Sequence, residues 1–256
     1  MKRILLLLAI CITFASCQKD KKEEIETKAL DFQAKSFEKK TALPCKGEIC
    51  ADVKITIPEA SNVPIVADSI NKKIFNTVRG IVYFGEKPYN GKNYEEIMTS
   101  FINSYEELKK DFPDETLGWE AKIDAKVDYS SDKVLNIKLN HYTYTGGAHG
   151  YEGNRSLLFN PETGKELTRK DFLKDEAGFK AFAENEFRKK YKIPAGAINA
   201  TGLMFENEVF ELPQNIFFTK NGLLLYYNTY EVASYADGAK ELLLPYDQLT
   251  NYLLIK

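Results

Sequence analysis

From Trp119 to Tyr129 the chain alternates without a break: Trp119, Ala121, Ile123, Ala125, Val127 and Tyr129 take every second place, with mostly charged residues between them. A period of two puts one set of side chains on one face of an extended strand, whereas a helix would scatter them around its axis. Ser130 to Lys133 read as a turn, and Leu135, Ile137 and Leu139 alternate again, so the segment is a hairpin with one dry and one wet face. Such a sheet must have its apolar face covered, and the rest of the chain supplies the cover.

Phe37 to Thr41 and Asp52 to Ile57 read as strands, the second from Val53, Ile55 and Ile57. Ile70, Ile74, Val78 and Ile81 recur at helical spacing behind Asp68 or Ser69 as cap, and Pro58 and Pro64 flank the loop before them. Asn93 caps a second predicted helix carrying Ile97, Phe101, Leu108 and Phe112, which Pro113 ends. Arg155 to Phe159 is a further strand, Thr168 with Asp171 suits a capping box, and a longer helix carries Phe179, Phe182, Phe187 and Tyr191. Asn215 to Thr219 and Leu223 to Tyr227 flank Lys220-Asn221-Gly222, a hairpin signal; a last strand covers Lys240 to Leu244. The predicted class is α+β, antiparallel sheets with helices packed on one face.

The N-terminus carries an address. Lys2 and Arg3 precede an apolar run from Ile4 to Ile12, and Ala15-Ser16 stand before Cys17. A basic start, a short apolar core and small residues at a cleavage point make a secretory signal. The run falls short of the about 20 residues that a spanning helix needs. Ala15-Ser16-Cys17 resembles a bacterial lipobox, which predicts cleavage after Ser16 and a lipid on Cys17, against an ordinary signal peptide with a chance cysteine. Gln18 to Glu24 are mostly charged and resemble the signal that sends some Bacteroidetes lipoproteins to the cell surface; a plain solvated tether is the competing reading. The expected localisation is an outer membrane lipoprotein on the periplasmic or cell-surface face. The expected organisation is a signal peptide over 1–16, a flexible tether over 17–35, a small α+β module over 36–118 and a larger α+β domain over 119–256.

Lys and Arg number 35 and Asp and Glu 37. Loss of Lys2 and Arg3 leaves 33 against 37, a net charge of −4, which argues against nucleic acid as a partner. Cys45 and Cys50 remain in the folded part and are expected to form a disulfide in an oxidising compartment. Zinc is the alternative, for which only His141 and His149 are at hand as further imidazoles.

Two segments stand out. His141 to Gly150 gathers Tyr142, Tyr144, Gly146, Gly147 and His149, and Tyr226 to Gly238 gathers Tyr230, Glu231 and Tyr235. Glycines let a loop turn sharply, and tyrosines bring contact area with a polar tip. Thr145-Gly146-Gly147-Ala148-His149, the Asn160 to Leu167 turn, and Tyr230-Glu231-Val232-Ala233-Ser234-Tyr235 through Pro245-Tyr246 come in the order seen in one family. The chain resembles the extracytoplasmic domain of RsiV-type anti-sigma factors, which are lysozyme receptors. The same domain precedes the catalytic part of PdaC-type peptidoglycan deacetylases. The resemblance covers about residues 119–254, and 36–118 resemble the smaller module that precedes the domain.

The resemblance implies a noncatalytic envelope binding module, with a lysozyme-like protein or peptidoglycan as partner, a membrane met only through the lipid, and neither cofactor nor metal. The expected ligand-binding residues are Tyr142, Tyr144, His149, Glu152, Glu231 and Tyr235, on two loops at one sheet edge. A bland reading stands beside this: His149 donates one buried hydrogen bond, and Tyr230 and Tyr235 tie loops to backbone. An enzyme acting on envelope glycans through acidic residues, and a structural lipoprotein, are the alternatives. No Gly-x-Ser-x-Gly elbow, His-Glu-x-x-His or phosphate-cradling loop is present.

Overall fold

The computed structural model describes residues 29–44, 50–83, 90–114 and 118–255. Cys17, the signal segment and Cys45 lie outside them; Cys50, just before the second strand, is disulfide-bonded. No helix among the described residues is long and apolar enough to cross a membrane.

Five strands make the larger sheet: β1 (Asp31–Lys40), β2 (Asp52–Ser61), β3 (Glu120–Ser130), β4 (Leu135–Tyr144) and β5 (Tyr151–Phe159), side by side in that order. The class is α+β, but the sheet is mixed. β2 and β3 are parallel, because two helices carry the chain back across the sheet between them; the other pairs are antiparallel. This one sheet joins segments on both sides of residue 118, and β1 starts inside the stretch expected as tether. β1 is an edge strand with little apolar content. It is held by pairing with β2 and by ion pairs from Lys35 to Glu59 and from Lys39 to Glu95.

The helices α1 (Pro64–Val82) and α2 (Tyr94–Asp111) cover one face of this sheet. α1 starts earlier than the Asp68 or Ser69 cap suggests, because Pro64 fits the first turn with its fixed φ and missing N–H. Asn93 caps α2 as expected, accepting from Glu96 N–H. Phe112 lies past the helix end and is exposed rather than in the apolar stripe. Val66, Ile70, Ile74 and Val78 meet Val53, Ile55, Ile123, Ile137 and Leu139 in the first core. The opposite face of β1 to β3 carries Glu38, Lys40, Lys54, Lys122 and Asp124, in keeping with its contact with water.

The second half adds α3 (Arg169–Phe172), begun by the Thr168–Asp171 capping box, and α4 (Glu176–Tyr191). A three-stranded antiparallel sheet of β6 (Asn215–Phe218), β7 (Gly222–Tyr227) and β8 (Lys240–Pro245) completes it. Its core centres on Phe187, Phe205, Phe210 and Tyr227, stacked edge to face or tilted.

The two sheets join through side-chain amides instead of strand pairing. β5 is the free edge of the large sheet, and its N–H groups at Asn154 and Ser156 donate to Asn228 Oδ1 (2.7 Å) and Asn215 Oδ1 (3.1 Å). Asn228 Nδ2 returns a bond to Asn154 O at 3.1 Å, so one side chain imitates a neighbouring strand. Asn136 accepts from Phe218 N–H and donates to Ser156, whose hydroxyl donates to Ile216 O. The same two-bond grip recurs where Asn71 holds Ala60 and Asn199 holds Phe205. Buried backbone groups need such partners, since an unmet one costs about 1–3 kcal/mol.

Candidate functional site

The turn between β4 and β5 needs its glycines. Gly146 and Gly147 have φ of 107° and 91°, where side chains are strained, although nothing would crowd an added Cβ. Tyr144 folds back on the turn, its hydroxyl donating to Gly147 O at 2.9 Å. His149 Nδ1 lies 3.1 Å from Gly150 O, so this nitrogen carries the proton; in the neutral ring Nε2 then accepts from the Tyr230 hydroxyl at 3.2 Å.

The partner loop leaves β7 at Tyr227. Tyr230 has φ of 70°, a left-handed conformation that a bulky residue adopts only when its surroundings enforce it. The enforcement comes from Glu231, whose carboxylate accepts from Asn228 N–H at 2.9 Å and Gln214 N–H at 3.0 Å. Farther on, Tyr235 lies flat on His149, with ring centroids 3.8 Å apart and planes 14° from parallel. Tyr230 and Tyr235 stand 5.7 Å apart and are 52% and 44% exposed, so this stack is a surface and not a core.

Tyr142 backs the stack from β4. A Cβ on Gly150 would fall 2.4 Å from its ring, so the glycine leaves the space that the ring fills. Burial raises the Tyr142 hydroxyl above its ordinary pKa, with help from Glu120 and from the neighbouring Tyr235 and Tyr144. Glu152 pairs across the ladder from Tyr142 and accepts from Asn140 Nδ2 at 3.2 Å, leaving it exposed beside the shelf.

The two loops singled out in the sequence therefore meet. Tyr142, Tyr144, His149 and Tyr235 gather in one aromatic shelf with Glu152 at its margin. Glu231 sits apart, its carboxylate taken up by backbone N–H groups. Tyr230, weighed in the sequence as a loop tie, belongs to the shelf: its hydroxyl ties to His149, but its ring is exposed. Asn228, which anchors the second loop, carries no signal in the sequence. Gly153 does carry one, as a glycine inside a strand: a Cβ there would fall 2.7 Å from His141 Nε2. Among the described residues no three His, Cys, Asp or Glu side chains converge as metal ligands.

Residues 45–152 match the family model described as Deacetylase PdaC, and residues 165–247 match the one described as Protein of unknown function (DUF3298). The matched segments part between 152 and 165, after β5 has begun, while the sequence pattern changes at Trp119. A DUF3298 family protein from Pseudomonas aeruginosa PAO1 shares the fold with a TM-score of 0.62 at 22% identity, over 89% of this chain and 95% of that one. A DUF3298 family member from Bacteroides fragilis NCTC 9343 does so with a TM-score of 0.62 at 20% identity, over 89% of this chain and 94% of that one. No curated protein matches the sequence. The chain thus carries a PdaC segment followed by a DUF3298 segment, consistent with the RsiV-type and PdaC-type domain that its motifs resemble.

Proposed function

We propose that the protein is a noncatalytic binding module of the cell envelope, held by a lipid on Cys17, whose aromatic shelf engages peptidoglycan. The observation that carries this reading is the exposed stack of His149, Tyr230 and Tyr235, held in place by hydrogen bonds at its edges. Flat rings fixed at a surface lose little entropy on contact and suit the apolar faces of sugar rings. Glu152 and Asn140 at the margin offer hydrogen bonds to hydroxyls and amides. The matched PdaC and DUF3298 models support an envelope setting. The deacetylase named by the first is the activity of that family, and the shelf needs no chemistry to do its work.

The test is retention of the full chain on purified sacculi, with immobilised lysozyme as the second arm. Tyr235→Ala should weaken retention on sacculi by about tenfold, the loss expected of an aromatic anchor worth about 1–2 kcal/mol, with the thermal midpoint nearly unchanged. Wild-type protein that passes over sacculi unretained overturns the reading; retention on lysozyme alone transfers the shelf to a protein partner. Tyr235→Ala protein that is retained like wild type moves the contact face elsewhere.

A further inference from the structure

Behind the shelf lies a cleft of about 230 Å³ between β5 and the turn that follows β7. Arg155 opens into it from the middle of β5. The other three arginines among the described residues all donate hydrogen bonds: Arg79 to Gly91 O, Arg169 to Leu212 O, Pro213 O and Glu176, and Arg188 to Glu184, Pro194 O and Gly196 O. Among the described residues Arg155 has no hydrogen-bond or ion-pair partner, although it is half-buried. The walls add the Tyr151 hydroxyl, the Gln214 amide and the Thr229 hydroxyl, each likewise without a side-chain hydrogen bond to any described residue. A folded chain rarely leaves a guanidinium and three neutral donors unspent in one concavity.

We infer that this cleft is a carboxylate-binding site with Arg155 as the counter-ion. The guanidinium fork matches a carboxylate with two parallel bonds. Glu231 also faces the cleft, but both its oxygens accept backbone N–H groups, so its charge stays fixed at the wall. That charge opposes the Arg155 attraction for any anion alike, so the fit of the planar fork, rather than net charge, is what selects a carboxylate. His141 adds no competing cation. It is buried 3% exposed beside Tyr151, with ring centroids 5.7 Å apart, and both its ring nitrogens are without partners. Burial first, and the Arg155 charge second, keep it neutral at ordinary pH. Tyr230 is shared between the cleft and the shelf, so a guest whose carboxylate meets Arg155 has the aromatic shelf open beside it. The ligand class is therefore a carboxylate carried on a body that lies across the shelf: an acidic amino sugar or the free terminus of a wall peptide. This rests on the peptidoglycan reading above.

The experiment titrates the full chain with two acid–neutral pairs at millimolar concentration: N-acetylmuramic acid against its methyl ester, and D-alanyl-D-alanine against its amide. At least one acid should outbind its neutral form by about ten- to a hundredfold, the range for a charge-assisted pair. The pair that discriminates identifies the source of the carboxylate. Arg155→Gln should erase the preference, and Arg155→Lys should keep part of it, with thermal midpoints reporting that both variants fold. Acid and neutral forms that bind alike, or a preference that survives in Arg155→Gln, overturn the site. Sacculus retention separates the two ideas: retention without acid preference removes the carboxylate site and leaves the binding module, while acid preference without retention does the reverse.

Discussion

His141 makes the stability of this fold depend on pH in a window of its own. Its pKa falls from 6.5 to about 4 in the folded chain, first because burial disfavours the charged ring and second because Arg155 is near. The unfolded chain binds this proton more readily, so stability is complete above pH 6.5 and is lost as pH falls toward 4. Linkage gives a loss of about 2 kcal/mol between pH 7 and pH 5, rising to about 3 kcal/mol below pH 4. With a urea dependence of about 2–3 kcal/mol per molar, the midpoint should drop by about 0.7–1 M over that interval. Asp171 acts only lower down. Hydrogen bonds from the Thr168 side chain and backbone, then from Lys165, hold its carboxyl below 3.8, so its contribution is present above that pH and lost below it. The comparison is urea unfolding of wild type and His141→Leu at pH 7 and pH 5. The variant should equal or exceed wild type at pH 7, because it removes two buried nitrogens without partners. It should also lack the extra loss of about 2 kcal/mol at pH 5. Parallel losses in the two proteins would refute the assignment.

Four shorter expectations follow, two from the structure and two from the sequence. Gly153→Ala places a Cβ 2.7 Å from His141 Nε2, and should lower stability by about 1–3 kcal/mol; combining it with His141→Ala should shrink that loss in a double-mutant cycle. Asn228→Ala strips both bonds from the Asn154 backbone and should cost about 2–4 kcal/mol in chemical unfolding, whereas a loss under about 0.5 kcal/mol would mean the sheets join by other means. In exported protein, thiol labelling of the unfolded, unreduced chain should find neither Cys45 nor Cys50, and Cys17→Ser should leave the membrane fraction; labelling of both cysteines, or unchanged partition, contradicts these.

What could be read from the sequence was local in origin. The alternation from Trp119 to Leu139, the Asn93 cap and the Thr168–Asp171 box each depend on neighbours in the chain, and each stands in the structure. The sequence shows β1 only from Phe37 onward, because an edge strand stabilised by Lys35, Lys39 and main-chain pairing needs no apolar period. The parallel pairing of β2 with β3 depends on residues far apart in the chain, which no window can register. The shelf was legible as two aromatic, glycine-bearing loops. The division of labour between Glu152 and Glu231 was not, since only the folded turn shows which carboxylate the backbone consumes.

The grip of Asn71, Asn199 and Asn228 on backbone ties the fold to the lifetime of three amide groups. Each offers a nitrogen to a carbonyl about one hydrogen bond away, at 2.9, 2.9 and 3.1 Å. Spontaneous hydrolysis of a side-chain amide to a carboxylate changes almost no volume, yet it replaces that donor with a second, charged acceptor facing the carbonyl. At most surface asparagines such ageing goes unnoticed. At these three it sets oxygen against oxygen, and at Asn228 it does so where the two halves of the molecule meet. Asn228 is buried and held at both ends, so it is shielded from that hydrolysis only while the fold stays closed: the seam protects the amide that makes it.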